Sequence, residues 1–177
     1  MGRRDVLASM RLWGWRLGAV LMAVLLPAAA QAACSDPPQP GVDWRRCVMH
    51  KRAFPGADLT GARLKDGRFT RADFTGAKMQ GMDGRRAKFI AATMNEADLG
   101  KARLSGADFT KADLSGADFS GADLRFVQFP GAVLRGANFA GARTEGLNLL
   151  DADLSGATWV DGKTVCAEGS RSQCRAG

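Results

Sequence analysis

Residues 107–124 read ADFTKADLSGADFSGADL, in which alanine, an acidic residue and a large apolar residue recur every five positions. The spacing continues in both directions, so that 20 of the 22 fifth positions from Phe54 to Trp159 hold a large apolar residue. Two positions earlier, alanine fills 17 of the 22 positions. A period that is kept without a slip over this length indicates a repeat architecture.

A period of five fits neither an α-helix nor a flat strand. Five residues advance a helix by about 140° beyond a full turn, so the apolar residues would point to different faces. In a strand they would alternate between the two sides, because five is odd and side chains alternate at every residue. The pattern instead predicts a chain that turns a corner every five residues. Four such sides close a coil of about 20 residues, and stacked coils pair their backbones at about 4.8 Å.

The repeated triplets resemble those of the pentapeptide repeat family. They are Ala57-Asp58-Leu59, Ala72-Asp73-Phe74, Ala97-Asp98-Leu99, Ala107-Asp108-Phe109, Ala112-Asp113-Leu114, Ala117-Asp118-Phe119, Ala122-Asp123-Leu124, Ala137-Asn138-Phe139 and Ala152-Asp153-Leu154. The resemblance covers residues 54–159. It implies an all-β fold, a right-handed quadrilateral β-helix with the Leu/Phe and Ala positions as its inner core.

The chain divides into four parts on this basis. We expect a cleaved signal peptide at 1–32, an N-terminal cap at 33–53, the β-helix at 54–159 and a C-terminal cap or tail at 160–177. Caps would cover the apolar core and the unpaired strand edges that a bare terminal coil exposes.

The four cysteines lie in the two expected caps. Pairing Cys34 with Cys47 and Cys166 with Cys174 is the simplest of three possible connectivities. A redox or metal role is disfavoured, because no Cys-x-x-Cys occurs and four distant thiols with a single histidine match no zinc spacing. We therefore expect two small disulfide-stapled caps.

The first 32 residues have the features of an export signal. Four arginines flank the start of the apolar run Leu17–Leu26, and Ala30-Gln31-Ala32 offers a small-x-small cleavage pattern. Ten apolar residues are too few to span a bilayer as a helix, which disfavours a retained anchor. Three questions stay open at this point. They are whether export follows the twin-arginine or the general route, whether the chain starts at Met1 or Met10, and whether Cys34 is lipidated.

Export changes the meaning of the net charge. The chain carries +7, with 25 Lys+Arg against 18 Asp+Glu, but residues 1–32 account for +3, which leaves +4 in the mature chain. The expected location is the bacterial periplasm. The expected partner is an unknown protein or an envelope component, with no nucleic acid and no stable membrane span after cleavage.

The expected 20-residue coil sorts the five-residue units into four sides. Units centred every 20 residues from 59, 64, 69 and 74 form sides 1, 2, 3 and 4, and their net charges are −2, +3, +2 and −3. Two adjacent basic sides would therefore oppose two adjacent acidic sides.

Side 2 carries a column of alternating charges, one per coil, just before its core positions. From the N-terminal end the column is Arg63, Asp83, Arg103, Asp123, Arg143. One interpretation is a ladder of surface ion pairs between coils, each contributing about 0–1 kcal/mol. The other is a partner-binding stripe made of Arg63, Arg85, Arg86, Arg103, Arg125 and Arg143.

We expect no catalytic, cofactor-binding or metal-binding residues. Asp98 and Asp118 would lie one coil apart, at about 5 Å, a separation that suits glycoside hydrolysis. The repeat places an acidic or amide residue there by rule, however, and supplies no cleft. His50, the single histidine, is assigned to a cap.

Two core positions on side 2 break the apolar rule. They are Gly84 and Thr144, and the nearby Met82 and Leu147 replace the usual alanine. We expect these larger side chains to fill the missing volume locally, in preference to a ligand pocket.

These features favour a non-catalytic exported protein that acts as a rigid scaffold for protein–protein or envelope interactions. The alternative is an enzyme that acts on envelope glycans through stacked aspartates. The resemblance also raises a third function, because some members of the family mimic DNA and bind topoisomerases. That function relies on a strongly acidic surface, which a basic exported chain lacks.

Overall fold

The computed structural model describes residues 34–177. Within them the chain forms no helix and no long strand; single residues pair instead in parallel β-bridges at every fifth position from Asp43 to Thr158. The expected signal peptide at 1–32, and the alternatives attached to it, lie outside the described residues.

Each bridge joins a residue to the one 20 positions further along the chain. The series runs from Asp43↔Arg63 to Asn138↔Thr158 without a break. Each coil therefore contains four five-residue sides, and the side assignments made from the sequence are confirmed. The chain is a four-sided β-helix.

A β-turn forms each corner of the coil. The N–H three residues after a core residue donates to the carbonyl of that core residue, as from Ala117 to Leu114 at 3.0 Å. Every fifth residue from Gly41 to Gly156 has a positive φ, between 53° and 71°, and 13 of these positions hold glycine. The glycine excess therefore belongs to the corners.

Exchanging residues at two corners should change stability in opposite directions. A left-handed φ costs an L-residue about 1–2 kcal/mol relative to glycine. Gly136 has a φ of 65°, and a Cβ added there would have no atom within 4 Å. Gly136→Ala would therefore cause no clash, and we expect the strained backbone alone to lower the free energy of unfolding by about 1 kcal/mol. Ala91 has a φ of 53°, so Ala91→Gly should stabilise by up to about 1 kcal/mol. Urea denaturation measures both, and shifts of the same sign would contradict the corner geometry.

The recurrent aspartate has a local structural task. Its carboxylate accepts the backbone N–H two residues on, as from Ser115 to Asp113 at 3.1 Å and from Ser120 to Asp118 at 2.8 Å. The Ser115 hydroxyl also donates to Asp113, at 2.7 Å. The bond satisfies an N–H at the corner, which explains why an acid or amide precedes so many core residues.

Apolar side chains fill the coil. On side 3, four phenylalanines stack at ring-centroid distances of 5.0–5.3 Å and are fully buried; they are Phe69, Phe89, Phe109 and Phe129. Buried alanines fill most of the positions two residues before the core residues. The exception at Gly84 is repacked as expected, because a Cβ there would lie 3.0 Å from the Met82 sulfur.

The coil begins before the expected boundary at residue 54. Asp43 and Val48 already form bridges, and Trp44 and Met49 are buried in core positions. Two units of the segment 33–53 therefore belong to the β-helix. Cys47 lies buried in a position where most units have alanine.

Both expected disulfides are present, Cys34–Cys47 and Cys166–Cys174. After Trp159 the tail turns back and pairs antiparallel with the last coil, through Asp153↔Arg171 and Thr158↔Val165. These contacts cover sides 4 and 1.

Sides 2 and 3 of the last coil are less covered than the coils before them. Thr144, Leu147 and Leu149 are only half-buried there. At the C-terminal end of the β-helix the tail pairs with sides 4 and 1. On sides 2 and 3 no further coil stacks on these three residues.

The turn that starts the tail should respond to acid. The Asp161 carboxylate accepts hydrogen bonds from the Thr164 hydroxyl at 2.6 Å and from the N–H groups of Thr164 and Lys163. The Thr164 hydrogen bonds are the main reason that the pKa of Asp161 falls from 3.8 to about 2. Because the folded pKa is the lower one, the stabilisation is complete above about pH 4 and is lost as the pH falls through 2. NMR titration should show this, and Thr164→Val should raise the pKa of Asp161 towards 3.8; an unchanged value would contradict the assignment.

Candidate functional site

On side 2, arginines bind the aspartates of their own turn. Asp43, Asp83 and Asp123 each accept two hydrogen bonds from the arginine two residues on, with Nε–Oδ1 distances of 2.7–2.8 Å and Nη2–Oδ2 distances of 2.6–2.7 Å. The donors are Arg45, Arg85 and Arg125. These side-chain hydrogen bonds lower the pKa of all three carboxyls. The arrangement repeats every second coil.

The ion-pair ladder between coils, expected as one interpretation, forms only at its first step. Arg63 Nη1 lies 3.5 Å from Asp43 Oδ2. Among the described residues, no carboxylate oxygen lies within 4.0 Å of the side-chain nitrogens of Arg103 or Arg143. Arg103 and Arg143 are exposed and interact with Asp83 and Asp123 only at longer range.

The six residues of the predicted stripe therefore fall into two groups. Arg85 and Arg125 are bound within their turns, and Arg86 binds Asp66 of the preceding coil at 2.8 and 3.0 Å. The other three are exposed and lie two coils apart on one side; they are Arg63, Arg103 and Arg143.

Positive charge is concentrated near the N-terminal end of sides 2 and 3. Their first three coils, residues 42–51, 62–71 and 82–91, hold ten cations and three acids. The cations are Arg45, Arg46, Lys51, Arg63, Lys65, Arg68, Arg71, Arg85, Arg86 and Lys88. The next three coils of the same sides hold four cations and four acids. Seven cations of this region are absent from the predicted stripe: Arg45, Arg46, Lys51, Lys65, Arg68, Arg71 and Lys88. Sorting the charges by coil as well as by side would have found them.

The stacked acids of side 1 are held by local hydrogen bonds. Asp98 accepts from the Gly100 N–H at 3.0 Å and from Gln80 Nε2 at 2.8 Å. Asp118 accepts from the N–H and hydroxyl of Ser120 and from Asn138 Nδ2 at 3.0 Å. Both carboxylates serve their own turns and an amide of the adjacent coil.

The remaining candidates do not converge on a site. His50 is exposed on the first coil of side 3. Within residues 34–177, no three His, Cys, Asp or Glu side chains cluster as metal ligands. A shallow, open depression lies beside the tail, lined by Lys163, Val165 and Gly177 among others. The described part of the chain contains no helix that could cross a bilayer.

Comparison with known proteins places these features in a family. The model of the pentapeptide repeats matches residues 54–89, 68–106, 87–125, 97–136 and 132–158, with eight copies. No protein among the curated sequences matches the chain.

Solved structures of pentapeptide repeat proteins resemble the chain. One from the Arabidopsis thaliana thylakoid lumen is 24% identical, with 75% of this chain and 85% of that chain covered and a TM-score of 0.43. The plasmid-mediated fluoroquinolone resistance protein QnrB1 is 20% identical over 65% of this chain and 68% of its own, with a TM-score of 0.48. Rfr23 from the cyanobacterium Cyanothece 51142 is 20% identical over 66% and 90%, with a TM-score of 0.37.

The family model covers most of the described coil and repeats in the same register as its bridges. The chain belongs to the pentapeptide repeat family and folds as that family's right-handed β-helix.

Proposed function

We propose that this protein is an exported, non-catalytic scaffold that binds an acidic macromolecular partner along side 2. The observation that carries the proposal is the line of exposed arginines Arg63, Arg103 and Arg143, two of which have no carboxylate within 4.0 Å among the described residues. Exposed cations with no carboxylate in direct contact are available to bind the acidic groups of a partner.

The spacing of these arginines is fixed by the backbone. They are 40 residues apart, which is two coils, or about 10 Å at the usual strand separation. Backbone hydrogen bonds tie each coil to the next, as from Arg103 N–H to Met82 O at 2.8 Å. A partner with acidic groups at a similar spacing would meet them without a rearrangement of the chain, which limits the entropy lost on binding.

The paired arginines support the same surface in a different way. Arg85 and Arg125 hold Asp83 and Asp123 in two hydrogen bonds each. Each bound pair places a compensated acid beside an exposed arginine, Arg103 or Arg143, so side 2 keeps a net positive charge.

Neither alternative function has support of this kind. Asp98 and Asp118 are engaged in turn and amide hydrogen bonds and line no cleft in the described residues, which disfavours a glycan-acting enzyme. The basic charge of sides 2 and 3 disfavours a DNA mimic, which needs a continuous acidic surface.

The test is retention of a partner from an envelope extract of the producing organism, with the purified protein immobilised. Arg63→Glu, Arg103→Glu and Arg143→Glu are combined in one variant. We expect retention of the partner to fall by on the order of 10- to 100-fold, since each exposed charge contact contributes up to about 1 kcal/mol. Wild-type retention should also fall as salt rises.

A matched control carries the same change in net charge on other surfaces. Lys78→Glu, Lys101→Glu and Lys163→Glu alter three exposed lysines outside side 2. This control should keep the partner. Equal loss in both variants, or a partner that ignores salt, would refute binding along side 2.

A further inference from the structure

Side 3 carries a second charged surface, which we call the basic plate. It consists of Lys51, Arg68, Arg71 and Lys88, all exposed, on the first three coils of side 3. The units that hold them, residues 47–51, 67–71 and 87–91, contain no acidic residue. The plate is therefore a patch of one sign.

None of the four cations is neutralised by a neighbour. They form no ion pair within 4.0 Å with any described residue, unlike Arg45, Arg85 and Arg125 on side 2. Their full charge is directed outward. Arg46 and Lys65, near the adjoining corner, have no ion pair within 4.0 Å but interact electrostatically with Asp66, so they are not counted in the plate.

The plate contains apolar groups among its charges. Val48, Arg68 and Lys88 are consecutive members of one bridge series, so they stand in a line across three coils. Val48 is 67% exposed and is one of only four large apolar side chains that are strongly exposed among the described residues. Ile90 is half-buried on the third coil of the plate.

The plate also lies at a particular end of the coil. Its coils are the first three that the chain forms after Cys34. The plate therefore lies at the N-terminal end of the β-helix.

We propose that the basic plate binds the surface of an anionic lipid bilayer. A bilayer is laterally fluid, so its anionic headgroups can gather opposite cations whatever the spacing of those cations. Each Lys or Arg near an anionic surface contributes about 1 kcal/mol, and the exposed Val48 can enter the headgroup region beside them. The combination of four unpaired cations with an exposed apolar side chain therefore suits a membrane surface.

The basic plate is separate from the line of Arg63, Arg103 and Arg143 on side 2. Binding to a bilayer by side 3 leaves the C-terminal part of side 2 accessible, so a protein partner could be held at a membrane surface. The two proposals are independent: vesicle binding tests this one, and partner retention tests the other.

The experiment is sedimentation of the full chain with vesicles of phosphatidylcholine, or of equal parts phosphatidylcholine and phosphatidylglycerol. Binding to pure phosphatidylcholine measures any contribution of Leu17–Leu26 and is subtracted. We expect strong additional binding to the anionic vesicles that disappears between about 0.1 and 1 M salt, as the screening length falls from about 10 to 3 Å.

Two variants with the same net charge locate the binding surface. The plate variant combines Lys51→Gln, Arg68→Gln, Arg71→Gln and Lys88→Gln. The control combines Lys78→Gln, Lys101→Gln, Lys163→Gln and Arg171→Gln, four exposed cations that lie on side 1 or in the tail. Each cation contributes about fivefold to partitioning, so we expect the plate variant to bind the anionic vesicles at least about 100-fold, and up to roughly 600-fold, more weakly than the wild type. The control should stay within about threefold of the wild type.

Three results would overturn the proposal. They are equal binding to both kinds of vesicle, equal losses in the two variants, and retention of an acidic protein that the plate variant loses while vesicle binding is unchanged. Circular dichroism and the urea midpoint of each variant show whether it is folded. Should the plate variant not fold, Arg68→Gln with Lys88→Gln alone should still weaken vesicle binding by about 20-fold.

Discussion

Replacing Phe109 with alanine should lower the free energy of unfolding by about 3–5 kcal/mol, the usual range for a buried aromatic ring. Its ring is fully buried and stacks on Phe89 at 5.0 Å and on Phe129 at 5.2 Å. It also meets Phe119 edge-on at 6.3 Å. Hydrogen-bonded coils above and below hold the walls of the coil in place, so the cavity left by the ring should collapse only in part.

A second phenylalanine provides the matched control. Phe126 is 64% exposed at a corner of the next coil. Phe126→Ala removes the same atoms from the surface and should change stability by no more than about 0.5 kcal/mol. Urea denaturation followed by circular dichroism measures both variants. Similar losses at the two positions would mean that the rings of sides 1 and 3 do not form the interior described here.

Removing the N-terminal disulfide should have the next largest effect. The Cys34–Cys47 bond closes a loop with a sequence separation of 13. In the chain-entropy model, such a loop stabilises the folded state by about 3 kcal/mol. Cys47 is also buried in a core-lining position, and Trp44 Nε1 donates to Asp36 O within the loop. Cys34→Ala with Cys47→Ala should therefore lower the unfolding free energy by about 3 kcal/mol and expose Trp44.

Tryptophan fluorescence and urea denaturation test this expectation. The variant should show a red-shifted emission before the main transition, because Trp44 is fully buried in the intact first coil. The Cys166→Ala, Cys174→Ala variant is the control, since its disulfide lies at the other end of the coil. Both variants are made with Trp159→Phe, because Trp159 contacts the tail and would report on the control disulfide. If the control then produces the same spectral change, burial of Trp44 does not depend on the Cys34–Cys47 bond.

The five-residue period was sufficient to predict the interior of the coil. Leu59, Leu99 and Phe139 are fully buried at the expected positions. The period also continues upstream to Trp44 and Met49, but the sequence signal fades there because Arg52 and Cys47 replace alanine. The boundary predicted at residue 54 marks where the alanine pattern ends. The 20-residue backbone pairing continues upstream of it, to Asp43.

The charged sides were predictable only in part. The sequence assigns each charge to a side, because a 20-residue register follows from four five-residue units. It does not show which acid an arginine will bind. Arg85 can reach Asp83 two residues away or acids in adjacent coils, and the structure selects the two-hydrogen-bond contact within the turn. Arg103 is exposed and has no ion pair within 4.0 Å among the described residues.

The basic plate was missed for a different reason. Net charge was summed along whole sides, so Arg68, Arg71 and Lys88 were averaged with Asp108 and Asp151 of later coils. The field at a surface depends on charges within about 10 Å, roughly two coils. Charges on a solenoid should therefore be compared over a few neighbouring coils.

The central claim is that residues 20 apart lie one above the other on the same side of a four-sided coil. Spin labels carried by an unnatural amino acid, which leaves the four cysteines paired, test it directly at positions 58, 138 and 158. These residues belong to one bridge series. Pulsed dipolar spectroscopy should give backbone-to-backbone separations of about 19 Å for 58 and 138, and about 24 Å for 58 and 158. A 58–158 distance no longer than the 58–138 distance, or values for both beyond about 35 Å, would contradict the stacked coil.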